Sequence, residues 1–414
     1  MIEWRGRVRT FAGAAVLLAF TLTLLAGCSA GAEETPAPTA TVALTATAPP
    51  EPTPTLAPGE RRRWGYDPFE PTGKRDPPIP VEPLPPGYRV EKLVTGLDRP
   101  TQLAVTPDGR LLVAEQAGAV RVVRDGRLLD RPLLSREVYL LPRDKPSELG
   151  LTGIAVDPHF EANGYVYLFY TVDNPRRTVI ARTSIAAGGL DQSFQEIFSW
   201  EAAPSCCHVG GGMRFAPDGT LLVGFGDHQL ADFAQDPLTP PGSVLRINPD
   251  GSIPSDNPFD GPVFAYGLRN PYDIAIDPAS GRIFAGENGQ WGQDAIVEIK
   301  RGANYGWPGA NLRVPEEQIE PPLAFYHEVF GIAGMEFYSS DVLGELKGHL
   351  LACQFHLGGA IHEFEFNDDG SVARETIRAN GCSTDITTGP DGFLYFLNYT
   401  EGALYRIAVD RASE

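Results

Sequence analysis

One unit recurs six times between Leu103 and Thr400: a short apolar strand, a turn built on Pro-Asp or Asp-Gly, and a second apolar strand. The copies read LAVTPDGRLLVAE (103–115), GIAVDPHFEANGYVYLFYT (153–171), MRFAPDGTLLVGFGD (213–227), DIAIDPASGRIFAGENG (273–289), GMEFYSSDVLGELKGHLLACQF (334–355) and DITTGPDGFLYFLNYT (385–400). Their starts lie 50 to 61 residues apart. That period, with β-type alternation and turn chemistry in each copy, marks the blades of a propeller, each a four-stranded sheet around a central channel. A further apolar strand follows every copy: AVRVV, TVIAR, SVLRI, AIVEI, AIHEF and ALYRI. The segment YRVEKLV (88–94) stands before the first copy as SVARETI (371–377) stands before the last, so the N-terminal strand is expected to complete the ring and remove a free edge. The 45 Gly and 38 Pro among 414 residues agree, since they disfavour long helices and supply tight turns. The expected fold is therefore all-β, a six-bladed propeller over residues 87–410.

The N-terminus has a different character. Arg5, Arg7 and Arg9 precede an uncharged apolar run from Phe11 to Ala26 that ends Leu25-Ala26-Gly27-Cys28. This is the layout of a secretory signal, too short and wrongly flanked for a comfortable transmembrane span. The cysteine directly after Ala-Gly resembles a bacterial lipoprotein signal, which implies removal of residues 1–27 and lipidation of Cys28. Residues 29–58 hold eight Ala, seven Thr and seven Pro, a composition that cannot bury a core, so residues 28–86 are expected to form a tether. Export, with attachment to the cell membrane through the lipid alone, follows as the expectation. A formal net charge of −19 repels a phosphate backbone and argues against a nucleic-acid partner.

In a propeller, chemistry belongs where polar residues interrupt the repeat near the channel mouth. Four places do so: Glu148 in SELGLTG; the run from Cys206 and Cys207 through His208 to Gly212; Arg269-Asn270-Pro271; and Glu287-Asn288-Gly289-Gln290, followed by Asp294. Proton transfer requires a positioned base, and a cation can hold negative charge that develops in a reaction. His208 and Arg269 are of the right types, and Asp227, on the partner strand of the same hairpin, could fix the imidazole tautomer. An ordinary ion pair between Arg269 and Asp294 is the bland alternative. Glycines 210 to 212 could admit a ligand ring close to the backbone, or serve only a tight strand entry.

The motifs ELGLTGIAVDPHFEANGYVYLFYT, HVGGGMRFAPDGTLLVGFGD, GSVLRINPDGSIPSDNPF, YGLRNPYDIAIDPASGRIFAGENG and GANYGWP, in that order, resemble the soluble, pyrroloquinoline-quinone-dependent glucose/sorbosone dehydrogenase family. The resemblance runs from Gly87 to Ile407. It implies oxidation of a sugar or polyol hydroxyl, with His208 as base, Asp227 orienting it, and Arg269 and Asn270 beside the quinone. It also implies a Ca²⁺ held by the backbone carbonyls of Gly289 and Gln290, and leaves the electron acceptor unassigned. Glu148 replaces a Gln of some members. Where quinone-using members carry a Lys and two Arg that pair with the cofactor's three carboxylates, this chain reads His356, Cys382 and Thr384. A non-catalytic, carbohydrate-binding propeller is the alternative to the dehydrogenase.

Five cysteines leave four once Cys28 is lipidated, an even number that suits an oxidising compartment. Four cysteines allow three pairings. Adjacency favours Cys206–Cys207, and placement on neighbouring blades then pairs Cys353 with Cys382.

Overall fold

The computed structural model describes residues 78–409, apart from 186–192, 202–204, 291 and 309–315, together with the strand Val42–Leu44. Cys28, the signal segment and most of the tether lie outside the described residues. Among the described residues no helix is long and apolar enough to cross a membrane.

The repeated turn shows why the chain folds back at each copy. In the Pro-Asp-Gly copies the glycine lies in the left-handed region, at φ +84° for Gly109, +83° for Gly219 and +79° for Gly392. Its amide donates to the carbonyl three residues earlier, Thr106, Ala216 or Gly389, at 2.9 to 3.0 Å. Proline presets the first central φ and glycine accepts the positive one, so the sequence encodes a reversal that joins two antiparallel strands.

Six sheets result, each with four blade strands; the first also carries Leu134–Ser135 and the second Val42–Leu44. The first blade runs Pro100–Val105, Leu111–Glu115, Ala119–Arg124 and Arg127–Leu128; the third, Gly210–Phe215, Leu221–Phe225, Ser243–Ile247 and Val263–Tyr266; the fourth, Pro271–Ile276, Ile283–Glu287, Ala295–Ile299 and Ala324–Phe325. The sixth takes Ile386–Thr388, Leu394–Asn398 and Ala403–Val409 from the C-terminus and Tyr88–Thr95 from the N-terminus, with Tyr88 opposite Val409. The expected closure of the ring is thus present, and the six strands that follow the copies are all third strands of their blades.

Each pair of neighbouring blades encloses one apolar cluster. Tyr167, Phe169, Phe198 and Trp200 of the second blade meet Met213, Val223, Phe225 and Leu245 of the third, every one of them at most 2% exposed. Corresponding clusters fill the other five seams. Burying a large side chain of this kind is worth about 1.5–3 kcal/mol, so the seams hold the ring together. The axis is plugged by polar groups. Arg214 on the third blade donates to Asp273 on the fourth at 3.0 Å and lies 3.7 Å from Asp385 on the sixth, while Gln102 on the first reaches Asp273 at 3.2 Å. Burial pushes both aspartates above their usual carboxylate range.

The expected end of the tether needs correction. The last residues of the expected tether lie on the propeller: the Glu82 amide donates to the Ile377 carbonyl, the Glu82 carboxylate pairs with Arg374 and Arg378, and Ile79 packs into an apolar seam. Val42–Leu44 pairs in parallel with Gln195–Trp200 at the rim of the second blade. Apolar residues at 42, 44 and 79 interrupt the Ala/Thr/Pro composition, and an open sheet edge offers unpaired backbone to receive them. The glycines after His208 serve packing between strands, because a Cβ would sit 2.4 Å from Thr152 Oγ1 at Gly211, 2.3 Å from Asp273 Oδ1 at Gly212 and 2.4 Å from the Gly224 carbonyl at Gly210.

Candidate active site

A cavity of about 600 Å³ opens at one end of the ring. Its walls include Glu148, Cys207, His208, Arg269, Asn270, Gly289, His356 and Thr384, so most of the residues singled out in the sequence converge there from five blades. The volume falls within the usual range for a small-molecule site.

His208 leads into the inner strand of the third blade, and Asp227 follows that blade's second strand, so the hairpin itself sets them opposite each other. His208 Nδ1 lies 2.7 Å from Asp227 Oδ1. That oxygen also accepts the Gln229 amide at 2.8 Å, while Oδ2 accepts the Trp307 indole N–H at 2.9 Å. A carboxylate surrounded by donors requires Nδ1 to carry its proton, which leaves the Nε2 lone pair free to take another. Asp227 is 1% exposed and His208 16%, so the acceptor is held in a dry setting with its partner open to the cavity. His208 also has φ +61°, an uncommon conformation for a residue with a side chain.

The fourth blade repeats this arrangement. Arg269 and Asn270 lead into its inner strand, and their amides donate to Glu287 at the end of its second strand, at 2.6 and 3.2 Å. Burial pushes the Glu287 carboxyl up to about 8, against the opposing pull of those amides and of Arg269. The Arg269 guanidinium donates to the Asn288 carbonyl at 2.9 Å and stands 5.6 Å from the centre of the Trp307 ring. Asp294 does not close an ion pair with it among the described residues. It accepts the amides of Gly289, Phe330 and Gly331 at 2.7 to 2.8 Å, and burial raises its pKa. Asn270 joins the two blades, since its Oδ1 accepts the Gly210 amide and its Nδ2 donates to Glu148, each at 3.1 Å. Glu148 also accepts the Val209 amide at 3.1 Å.

The opposite wall differs. Cys382 is bonded to Cys353 across 5.1 Å between Cα atoms, and Cys206 to Cys207, which is the expected pairing. The Thr384 hydroxyl donates to the Pro100 carbonyl at 2.9 Å, and His356 is exposed in a short helical turn. Three cations unanticipated from the sequence, Arg99, Arg143 and Lys145, line the same cavity. Trp307 was also missed as a site residue, although GANYGWP was legible as a motif; its indole reaches Asp227 from 80 positions away.

For a bound quinone and Ca²⁺ the residues present fit. The buried Asn288 Oδ1, next to Gly289, has no hydrogen-bond partner, and neither has Arg99 Nε; both residues line the cavity. Oxygen-only donors suit Ca²⁺.

The glucose/sorbosone dehydrogenase family model matches residues 97–406. An aldose sugar dehydrogenase of Escherichia coli is 28% identical over 353 residues, spanning 77% of this chain and 92% of that one. The crystal structure of a putative oxidoreductase (glucose dehydrogenase) from Thermus thermophilus superposes with TM-score 0.68 at 30% identity, covering 78% of this chain and all of that one. The PQQ-bound form of an aldose sugar dehydrogenase from Streptomyces coelicolor gives 0.63 at 26% identity, over 79% and 99%.

Proposed function

Because the chain belongs to the glucose/sorbosone dehydrogenase family, we propose that it oxidises a hydroxyl of an aldose sugar or polyol, with pyrroloquinoline quinone in the 600 Å³ cavity. The observation that carries this is the relay of Trp307, Asp227 and His208, which presents one imidazole nitrogen as a proton acceptor at the cavity wall. His208 Nε2 takes the hydroxyl proton, and Asp227 stabilises the imidazolium that forms. The quinone, when bound, supplies the site that accepts the hydride. Arg269, its guanidinium held by the Asn288 carbonyl and Trp307, would offer its positive charge to the charge that develops there. The carbonyls of Gly289 and Gln290, with Asn288 Oδ1, would hold Ca²⁺.

The full chain is read as exported. Residues 1–27 form the signal, lipidated Cys28 the sole membrane attachment, the segment from there to residue 77 the tether, and residues 87–410, with 78–86 packed on them, the catalytic ring. The test is reconstitution of the purified protein with quinone and Ca²⁺, then dye reduction across aldoses and polyols. Turnover of any of these supports the dehydrogenase. No turnover and no quinone binding, together with a thermal shift on adding a saccharide, replaces it with a carbohydrate-binding propeller, the reading favoured by the neutral Cys382 and Thr384.

A further inference from the structure

The family pattern places two arginines at the corner where this chain has Cys382 and Thr384, both engaged with other protein groups. The carbonyl that Thr384 binds belongs to Pro100, so the neighbour standing at that corner is Arg99. Leu97-Asp98-Arg99-Pro100 opens the inner strand of the first blade as Leu268-Arg269-Asn270-Pro271 opens that of the fourth. The parallel extends to the partner strand: Pro100 pairs with Glu115 and Pro271 with Glu287, and the Asp98 amide donates to Glu115 as the Arg269 amide does to Glu287. In this register Asp98 takes the place of Arg269 and Arg99 that of Asn270, one residue before the inner strand.

Arg99 lines the cavity, its side chain hydrogen-bonded to Tyr399, and three observations single it out. Its φ is +50°, a conformation that glycine or asparagine would adopt with less strain, so the side chain is kept at a backbone cost. Its Nε is buried without a hydrogen-bond partner. Its nearest carboxylate, Asp98 at 3.9 Å, is already claimed by Arg143, which donates to both of its oxygens at 2.5 and 3.0 Å. Lys145, exposed at the same rim, has no carboxylate within ion-pair distance among the described residues. Within ion-pair distance among the described residues Asp98 alone serves both arginines, while Asp144 and Glu148 line the same cavity without closing an ion pair to them.

We propose that Arg99, supported by Arg143 and Lys145, forms a relocated anion clamp that receives the carboxylates of the bound quinone in place of the cations absent from positions 356, 382 and 384. This rests on the quinone reading above, and the probes separate the two. Binding to the full chain is measured by calorimetry with pyrroloquinoline quinone plus Ca²⁺, and separately with benzene-1,3,5-tricarboxylate, a redox-inert polyanion. Arg99→Gln should weaken quinone binding roughly ten- to a hundredfold, as expected for losing one charge-assisted contact, without a matching fall in melting temperature. Arg99→Lys should retain most of the affinity, and His356→Lys should restore part of it in the Arg99→Gln background, which a purely structural arginine would not allow. Should Arg99→Gln fail to fold, Lys145→Gln and Arg99→Lys carry the measurement, with at least a threefold loss expected for the former. Unchanged quinone affinity in Arg99→Gln overturns the clamp and leaves the quinone reading standing. Binding of the tricarboxylate but not the quinone, abolished by Arg99→Gln, keeps the clamp and overturns the quinone reading; binding of neither overturns both.

Discussion

The two walls of the cavity are built on different terms. On the third and fourth blades, the polar groups of His208, Asp227, Arg269 and Asn270 are tied within and between hairpins. On the fifth and sixth stand an exposed histidine, a disulfide cysteine and a threonine bound to a carbonyl. The contrast follows from how the two kinds of interaction depend on distance. A proton relay works only at hydrogen-bond length and angle, so its residues cannot move independently of their strands. A charge acts over several ångströms and falls off slowly, so a neighbouring blade can supply it. Geometry is fixed by position; charge is fixed only by neighbourhood.

The comparison is broken most directly at His208. His208→Ala should lower turnover by about 10² to 10⁴ while the melting temperature holds, because a proton acceptor is lost from a partly open site. Turnover within threefold of the parent would place the base elsewhere.

Glu287 tests whether the first wall is as dry as it looks. Its pKa rises from 4.5 in the unfolded chain to about 8 in the fold, so the folded state holds an extra proton between those values. Stability is then fully present below pH 4.5 and lost as pH rises toward 8, with a slope up to about 1.4 kcal/mol per pH unit. Asp273, Asp294, Asp385 and Glu336 are also raised by burial and push the same way at their own pKa values, so the informative quantity is the difference between parent and Glu287→Gln. Denaturant titrations at pH 5, 6.5 and 8 should show the variant's loss flattened; identical slopes would mean that water reaches the carboxyl.

The second wall is sharpened by its disulfide. Cys353 and Cys382 close a loop of 29 residues, for which the chain-entropy model gives about 3.5 kcal/mol. Replacing both by Ala should cost that order of stability. Replacing Cys206 and Cys207, adjacent in sequence, should cost less than about 1 kcal/mol, since almost no loop is closed. Equal costs would show that the vicinal pair holds up the mouth as well.

The smallest effect is expected at Trp307, a positioning residue. Trp307→Phe removes one hydrogen bond to Asp227 and should lower kcat/KM about threefold to tenfold, with a displaced acidic limb in the pH profile. A fall in melting temperature with an unmoved profile would reduce its role to packing.

The blades were legible because Pro-Asp-Gly has the same backbone consequence wherever it occurs, and Gly109, Gly219 and Gly392 adopt nearly one φ. His208 and Asp227 were legible for a related reason, since a hairpin fixes which residues meet across it. Trp307 and Arg99 were not. Each acts across a seam between blades, where proximity depends on how six sheets pack around the axis and leaves no spacing to read. The docking of residues 78–86 on the fifth blade was hidden similarly, because a proline-rich composition describes the segment and not the surface that receives it.

The strand that closes the ring also dictates an order of events. Arg89 donates to the carbonyl of Val409, 320 residues downstream, so the chain's first blade strand has no partner until nearly its last residues are available. Five blades can assemble on contacts within their own segments, but the sixth waits for both ends. Until then an unpaired edge is open to any passing strand, including that of another copy. Release from synthesis or from a transport channel therefore sets the earliest moment at which the ring can seal.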